Sequence, residues 1–193
     1  IEIDAEVANW GKSLGLSARR YYKKDNAAWS LFLTHRNLGA DGQRTSRKEN
    51  IATGLFRKIG IWNQRAGDKR IPRPYLMANR NERMELLAGL LDTDGHYSGG
   101  NFEFCSKSFG LATDVIFLCR SLGFACDEAV EKVVNGQSYW RIHINGNLEQ
   151  IPTRTQRRQA NPRTQKKNPL RSGFTVIPLP EDDFYGFTLD GDH

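Results

Sequence analysis

Two carboxylates and a glycine, Asp92-Thr93-Asp94-Gly95, follow directly on a leucine-rich stretch, Arg83 to Leu91, whose spacing predicts a helix. A carboxylate at a helix C-terminus faces the negative end of the macrodipole, so its charge is unwelcome there unless a cation joins it. Such a carboxylate, delivered to the base of a tight helix contact, suits metal-dependent chemistry. The same helix carries Ala88-Gly89 in its interior. Glycine costs about 1 kcal/mol against alanine there. Close approach of a second backbone is the usual reason to accept that cost. Ala88 and Gly89 are therefore expected at a helix interface, with Asp94 delivered to the base of the contact. Asp92 is expected to act behind it, at the helix end.

Composition narrows the partners. The 193 residues suffice for one large domain or two small ones, and 38% hydrophobic content can fill a core. No stretch approaches the length of a membrane span, so no membrane is expected as a partner. Cys105, Cys119 and Cys126 are odd in number and form no CxxC pair, which argues against a disulfide framework or a zinc site. A reducing compartment, cytoplasm or nucleus, follows. The net charge is +6, but Glu181, Asp182, Asp183, Asp190 and Asp192 crowd the last residues; residues 1–180 keep 28 basic against 17 acidic residues, a net of +11. Arg154, Arg157, Arg158, Arg163, Lys166, Lys167 and Arg171 fall in one run without an acid. Such a run beside a metal-binding carboxylate implies a phosphate-contact surface, and hence nucleic acid rather than a small-molecule substrate.

The elements that must position these groups occur twice. Ile3, Val7, Trp10 and Leu14 form an amphipathic helical stripe, and Leu111, Val115, Leu118 and Leu122 repeat it 108 positions later. Both stripes end alike, Lys12-Ser13-Leu14-Gly15 and Arg120-Ser121-Leu122-Gly123, with glycine placed to cap the helix. Hairpins follow each. Residues 17–23 and 27–34 flank Asp25-Asn26, and residues 125–134 and 138–145 flank Asn135-Gly136, a strong turn signal. Trp140, Ile142 and Ile144 alternate with Tyr139, Arg141 and His143; Trp29, Leu31 and Leu33 form the matching apolar face earlier in the chain. Sheets with one apolar and one polar, basic face have helices behind and solvent or a partner in front. A further helix is expected over residues 47–59, and two more strands over about 96–107.

Leu87 to Gly95 resembles the signature of LAGLIDADG homing endonucleases, with Leu91 in place of isoleucine and Thr93 in place of alanine. Lys69-Arg70-Ile71-Pro72 and its spacing to that signature are similar to the nuclear-encoded intein group that includes the vacuolar-ATPase intein. The resemblance covers essentially the whole chain. It implies an α+β fold, a pseudo-two-fold repeat of αββαββα with saddle-shaped antiparallel sheets. Residues 1–70 would form a first repeat lacking its signature helix, residues 71–170 the second, and residues 171–193 the start of a C-terminal protein-splicing (Hint) segment. The partners implied are double-stranded DNA and, from the same parent chain, the missing N-terminal repeat and Hint domain.

The activity implied is sequence-specific, Mg2+-dependent cleavage of DNA, linked to intein splicing in the parent. Asp94, with the Gly95 carbonyl, would hold the metal. Lys69 would stabilise charge or relay a proton, and Arg157 or Arg158 stands where a second lysine would. Arginine cannot readily exchange a proton, so that half-site could only stabilise charge. Arg19, Lys23, Lys107, Arg141 and His143 on the polar strand face would read DNA, with Arg154, Arg157, Arg163, Lys166 and Lys167 adding phosphate affinity. The alternative is a non-catalytic nucleic-acid-binding descendant of the same fold, a regulator or an RNA-splicing maturase.

Overall fold

The computed structural model describes residues 2–22, 29–35, 50–164, 168 and 170–183. Its first unit starts with helix α1 (Glu2–Ser13), followed by strands β1 (Leu16–Tyr22) and β2 (Trp29–His35) and helix α2 (Ile51–Lys58). The strands pair antiparallel, with Ala18 opposite Leu33 and Arg20 opposite Leu31. That face meets α1: a Cβ on Gly11 would stand 2.6 Å from the Leu33 side chain, so glycine lets the helix lie close. Arg20 reaches the buried Asp4 of α1 at 2.5 Å. The opposite face carries Ser17, Arg19, Tyr21, Ser30, Phe32 and Thr34. The apolar side of β2 is thus as expected for Leu31 and Leu33; the Trp29 side chain lies outside the described set. The predicted helix over 47–59 begins at Ile51, behind Asn50, whose side chain accepts the Ala52 N–H.

The second unit holds the main core. A short helix α3 (Arg73–Leu76), led in by Pro72, turns the chain into α4 (Arg80–Asp94). Strands β3 (Gly95–Ser98) and β4 (Asn101–Ser106), helix α5 (Phe109–Ser121) and strands β5 (Ala125–Cys126), β6 (Val130–Val134) and β7 (Gln137–Asn145) follow. The antiparallel sheet runs β3-β4-β7-β5, and β6 pairs the same edge of β7 as β5. Phe102 and Phe104 pair with Ile144 and Ile142, and all four are fully buried beneath Leu87, Ala88 and Leu91 of α4 and Val115, Leu118 and Cys119 of α5. The chain is therefore α+β with antiparallel sheets, and the described residues form no closed barrel. Among the described residues, no helix is long and apolar enough to cross a membrane.

Helix α4 extends three residues beyond each end of the periodic stretch. Its start is polar, Arg80-Asn81-Glu82, and is fixed by a capping box: the Asn79 side chain accepts the Glu82 N–H at 3.0 Å, while Glu82 accepts the Asn79 N–H. Hydrophobic periodicity cannot register such a turn, whereas the Asn-x-x-Glu spacing can. Arg80 donates to the Leu122 carbonyl, and Arg83 to the Ser121 carbonyl and hydroxyl. The unpaired carbonyls ending α5 are thereby satisfied by cations, which also suit that end of its dipole.

The two helix-terminal glycines behave as the repeat requires. Gly15 has φ +73° and Gly123 φ +90°, each taking the left-handed turn that sends a helix into strands. Asn135 and Gly136 are both at positive φ, as a type I′ hairpin demands. One continuous strand over 125–134 is not what forms. Cys126 faces Ile144 but Val130 faces Arg141, so the register slips by one residue between β5 and β6. The slip flips the alternation, and every residue of β6 is exposed. The second unit closes not on a helix but on two 3-10 turns, Leu148–Gln150 and Gln156–Arg158. Residues 171–183 form neither helix nor strand and are exposed; most of the acidic aromatic tail, residues 184–193, lies outside the described residues.

Candidate active site at the base of α4

Asp94 is the last helical residue of α4, exposed, and makes no hydrogen bond or ion pair among the described residues. The next residue, Gly95, is already the first of β3 and is buried. A Cβ there would meet the Leu91 carbonyl oxygen at 2.6 Å and its Cα at 2.8 Å. Glycine is needed here for space rather than for an unusual φ, and it lets the helix pass into the sheet without a loop. A free carboxylate is thus presented at the junction of helix and sheet.

Asp92 has the opposite fate. It is buried, and its two oxygens accept the backbone N–H groups of Arg154 at 2.8 Å and Thr155 at 2.9 Å. The basic run is therefore tied to the helix end. Its 3-10 turn is closed by the Arg158 N–H on the Thr155 carbonyl at 2.7 Å and by the Thr153 hydroxyl on the Arg158 carbonyl at 2.9 Å. Arg158 lies in electrostatic reach of both acids. Burial, then the charge of Arg157, pull its pKa down, and Asp92 and Asp94 oppose that pull. One guanidinium nitrogen, Nη1, is buried with no hydrogen-bond partner. Arginine stays charged regardless, so Arg158 is a fixed cation whose charge both acids feel.

Lys69 is exposed; its carbonyl accepts the Ser108 hydroxyl at 2.7 Å, which also caps α5 by accepting the Leu111 N–H. Arg70 forks onto the buried Asp114, which accepts the Ile71 N–H as well. Asp114, Ser108 and Arg70 were not singled out by sequence. Ser108, three residues before Leu111, carried an N-cap signal that could have been read; Asp114 in the middle of an apolar helix carried only its anomaly.

On the open face of the larger sheet, His96, Glu103 and His143 form one cross-strand row, and Cys105, Arg141 and Val130 the next. Arg141 lies 3.3 Å from Glu103, an ion pair without hydrogen-bond geometry. Lys107 sits 5.9 Å from the centre of the Tyr139 ring, and His143 is exposed. Arg19 takes the open face of the first hairpin. Arg157 is exposed and Arg163 half-buried; Lys23, Lys166 and Lys167 lie outside the described residues.

Three of the expected residues have these surroundings within the described chain. The Arg154 guanidinium is shared by Glu85 at 3.0 Å and Glu6 at 3.6 Å, which bridges α4 and α1. Ala88 and Gly89 differ in their surroundings within this chain. Ala88 is fully buried in the core, whereas Gly89 is exposed and a Cβ on it would meet nothing within 4 Å. Adjacent helical positions point about 100° apart, so a pair of small residues cannot serve one contact equally.

No protein-family profile matches the chain. It is similar to the replicative DNA helicase DnaB of Mycobacterium intracellulare, 44% identical over 79 residues, which are 40% of this chain and 13% of that protein. The chain thus spans a small fraction of the length of the relative it matches.

Proposed function

We propose that this chain is part of a LAGLIDADG homing endonuclease carried by an intein, a Mg2+-dependent, sequence-specific nuclease of double-stranded DNA. The observation that carries the reading is Asp94, an exposed carboxylate held where α4 runs without a loop into a sheet. The signature residues Leu87 to Gly95, the paired Gly15 and Gly123 turns and the basic open sheet face support it. Similarity confined to 13% of a replicative helicase is what a shared insertion would leave, rather than a shared helicase activity.

The site fits a metal in part. Among the described residues no group of three or more His, Cys, Asp or Glu side chains could hold one; Asp94 would supply a single acid, with a second from the other repeat of the parent. When bound, Mg2+ would lower the pKa of its water and neutralise charge developing on the scissile phosphate. Asp94 would hold the ion on the DNA side of the sheet. Arg158 would face the phosphate as a fixed positive charge, unable to give or take a proton. Lys69, exposed and anchored through its carbonyl, would be the remaining candidate for proton relay.

The test is cleavage of duplex DNA spanning the uninterrupted host-gene junction, read from the source locus, by the full parent protein with Mg2+. Asp94→Asn should abolish cleavage and leave DNA binding intact; undiminished cleavage removes Asp94 from the site. A non-catalytic nucleic-acid-binding descendant is the second reading. It is favoured by the arginines at 157 and 158, which leave that side of the site without a proton-exchanging group. Mg2+-independent binding without cleavage by the wild-type parent would establish it.

A further inference from the structure

Asp92 and Asp94 are two residues apart on one helix end, so their side chains diverge by about 200°. One sinks toward the protein and the other emerges. Asp92 receives a segment more than sixty positions distant, taking one N–H on each carboxylate oxygen. That segment begins the turn whose far end is Arg158, and Thr153 closes the turn onto the Arg158 carbonyl. Arg158 is consequently referenced, through the Arg154-Thr155 backbone, to the helix end that also carries Asp94.

We infer that Asp92 is a positioning residue: by holding both N–H groups at the head of the 153–158 turn, it sets where the Arg158 guanidinium stands against Asp94. The inference deepens the proposed site and rests on that reading for its consequence in catalysis. A carboxylate is required because two donors converge on two oxygens. An amide offers one acceptor, and its NH2 would face the second N–H, donor against donor. A half-buried N–H left in that state is still costly, so the turn would release rather than adapt. The unpartnered Nη1 of Arg158 gives the guanidinium no hydrogen bond of its own to keep it in place on that side.

The experiment is nuclear magnetic resonance of the full chain, following the Arg154 and Thr155 amides and the Arg158 Nε–H. In Asp92→Asn, exchange at all three should rise about tenfold or more, while the Leu118 amide in the core keeps its protection. Deprotected Arg154 and Thr155 amides with an unmoved Arg158 Nε–H would overturn the inference, because Asp92 would then tether the loop and nothing more. Should Asp92→Asn fail to fold, Thr153→Val decides: it cuts the other end of the turn, and an Arg158 signal that stays in place again overturns the proposal. Mn2+ added to the wild-type chain gives a separate readout. Broadening at Asp94 and Gly95 supports the metal-binding reading; its absence sinks that reading and leaves the Arg158 result standing.

Discussion

Asp114 and Arg70 meet fork on fork, Nε to Oδ2 at 2.8 Å and Nη2 to Oδ1 at 2.7 Å, and the Ile71 N–H shares Oδ2 at 2.9 Å. Asp114 is buried in α5 while the Arg70 side chain is 60% exposed. The pair fixes the segment that carries Lys69 against the helix behind the sheet. Gly110 makes room for it, since a Cβ there would overlap the Arg70 side chain.

Removing Asp114 should therefore act through the buried Ile71 N–H more than through the exposed cation. Asp114→Ala is expected to destabilise the chain by about 1–3 kcal/mol, the cost of one orphaned buried donor. Arg70→Ala should cost well under that, because exposed ion pairs contribute about 0–1 kcal/mol. Urea melts of both variants check the order; equal losses would place the stabilisation in the ion pair itself. The hydrogen bond that Arg70 donates to Asp114, then the charge of Asp114, raises the Arg70 pKa. A raised folded value contributes stability present below the unfolded arginine pKa and lost as pH climbs through the folded one. Both lie in strong alkali, so between about pH 6 and 10 this arginine adds no slope to stability.

The two glycines of the signature should respond in opposite ways. Gly95→Ala drives a methyl into the Leu91 carbonyl. It should cost about 1–3 kcal/mol and displace Asp94. Gly89→Ala meets open space in a helix interior. It should stabilise the isolated chain by up to about 1 kcal/mol. If a second helix packs on α4 in the parent, the same change should weaken that association. Thermal melts of the chain, followed by association measurements in the parent, separate the two. A destabilising Gly89→Ala in the isolated chain would mean that something already packs there.

Arg157 and Arg154 should likewise separate. Exposed Arg157 is the better phosphate contact, and Arg157→Ala should lower DNA affinity and flatten the slope of log affinity against log salt by about 0.9. Arg154→Ala breaks the bridge between Glu6 and Glu85. Its effect should appear in stability, by about 0–1 kcal/mol, with the slope retained. Salt titrations of DNA binding on both variants check this, and a flattened slope for Arg154 alone would reverse the assignment.

What could be read in the sequence was periodic or local. The stripes ending at Gly15 and Gly123, the Asn135-Gly136 turn and the two-faced strand Tyr139 to Asn145 are all nearest-neighbour patterns, and each forms. The nonamer located Asp94 and Gly95 because their chemistry is out of place in an ordinary helix end. What could not be read was long-range pairing. Nothing near Asp92 names Arg154 and Thr155 as its donors, nothing near Asp114 names Arg70, and Arg154 gave no sign that acids from two helices would claim it. The slip between Cys126 and Val130 was equally hidden, because it depends on the register of a partner strand.

The three thiols supply a last test of the core. Cys105 is exposed on the open sheet face, whereas Cys119 of α5 and Cys126 of β5 are buried together. Cys119 donates toward Cys126, which lowers the Cys126 pKa and, with burial, raises that of Cys119. A lowered thiol pKa in the fold contributes stability present above the unfolded value and lost as pH falls through the folded one, so Cys126 favours the fold on the alkaline side. Cys119, raised, has the opposite sign and loses its stabilising effect last, in stronger alkali. Reactivity follows exposure first: a maleimide should label Cys105 alone in the native chain and all three thiols in denaturant. Cys105→Ser should remove native labelling and leave the unfolding free energy within about 0.5 kcal/mol of wild type. Rapid native labelling of Cys126 would show that β5 opens away from β7, and with it the edge of the sheet that carries Arg141 and His143.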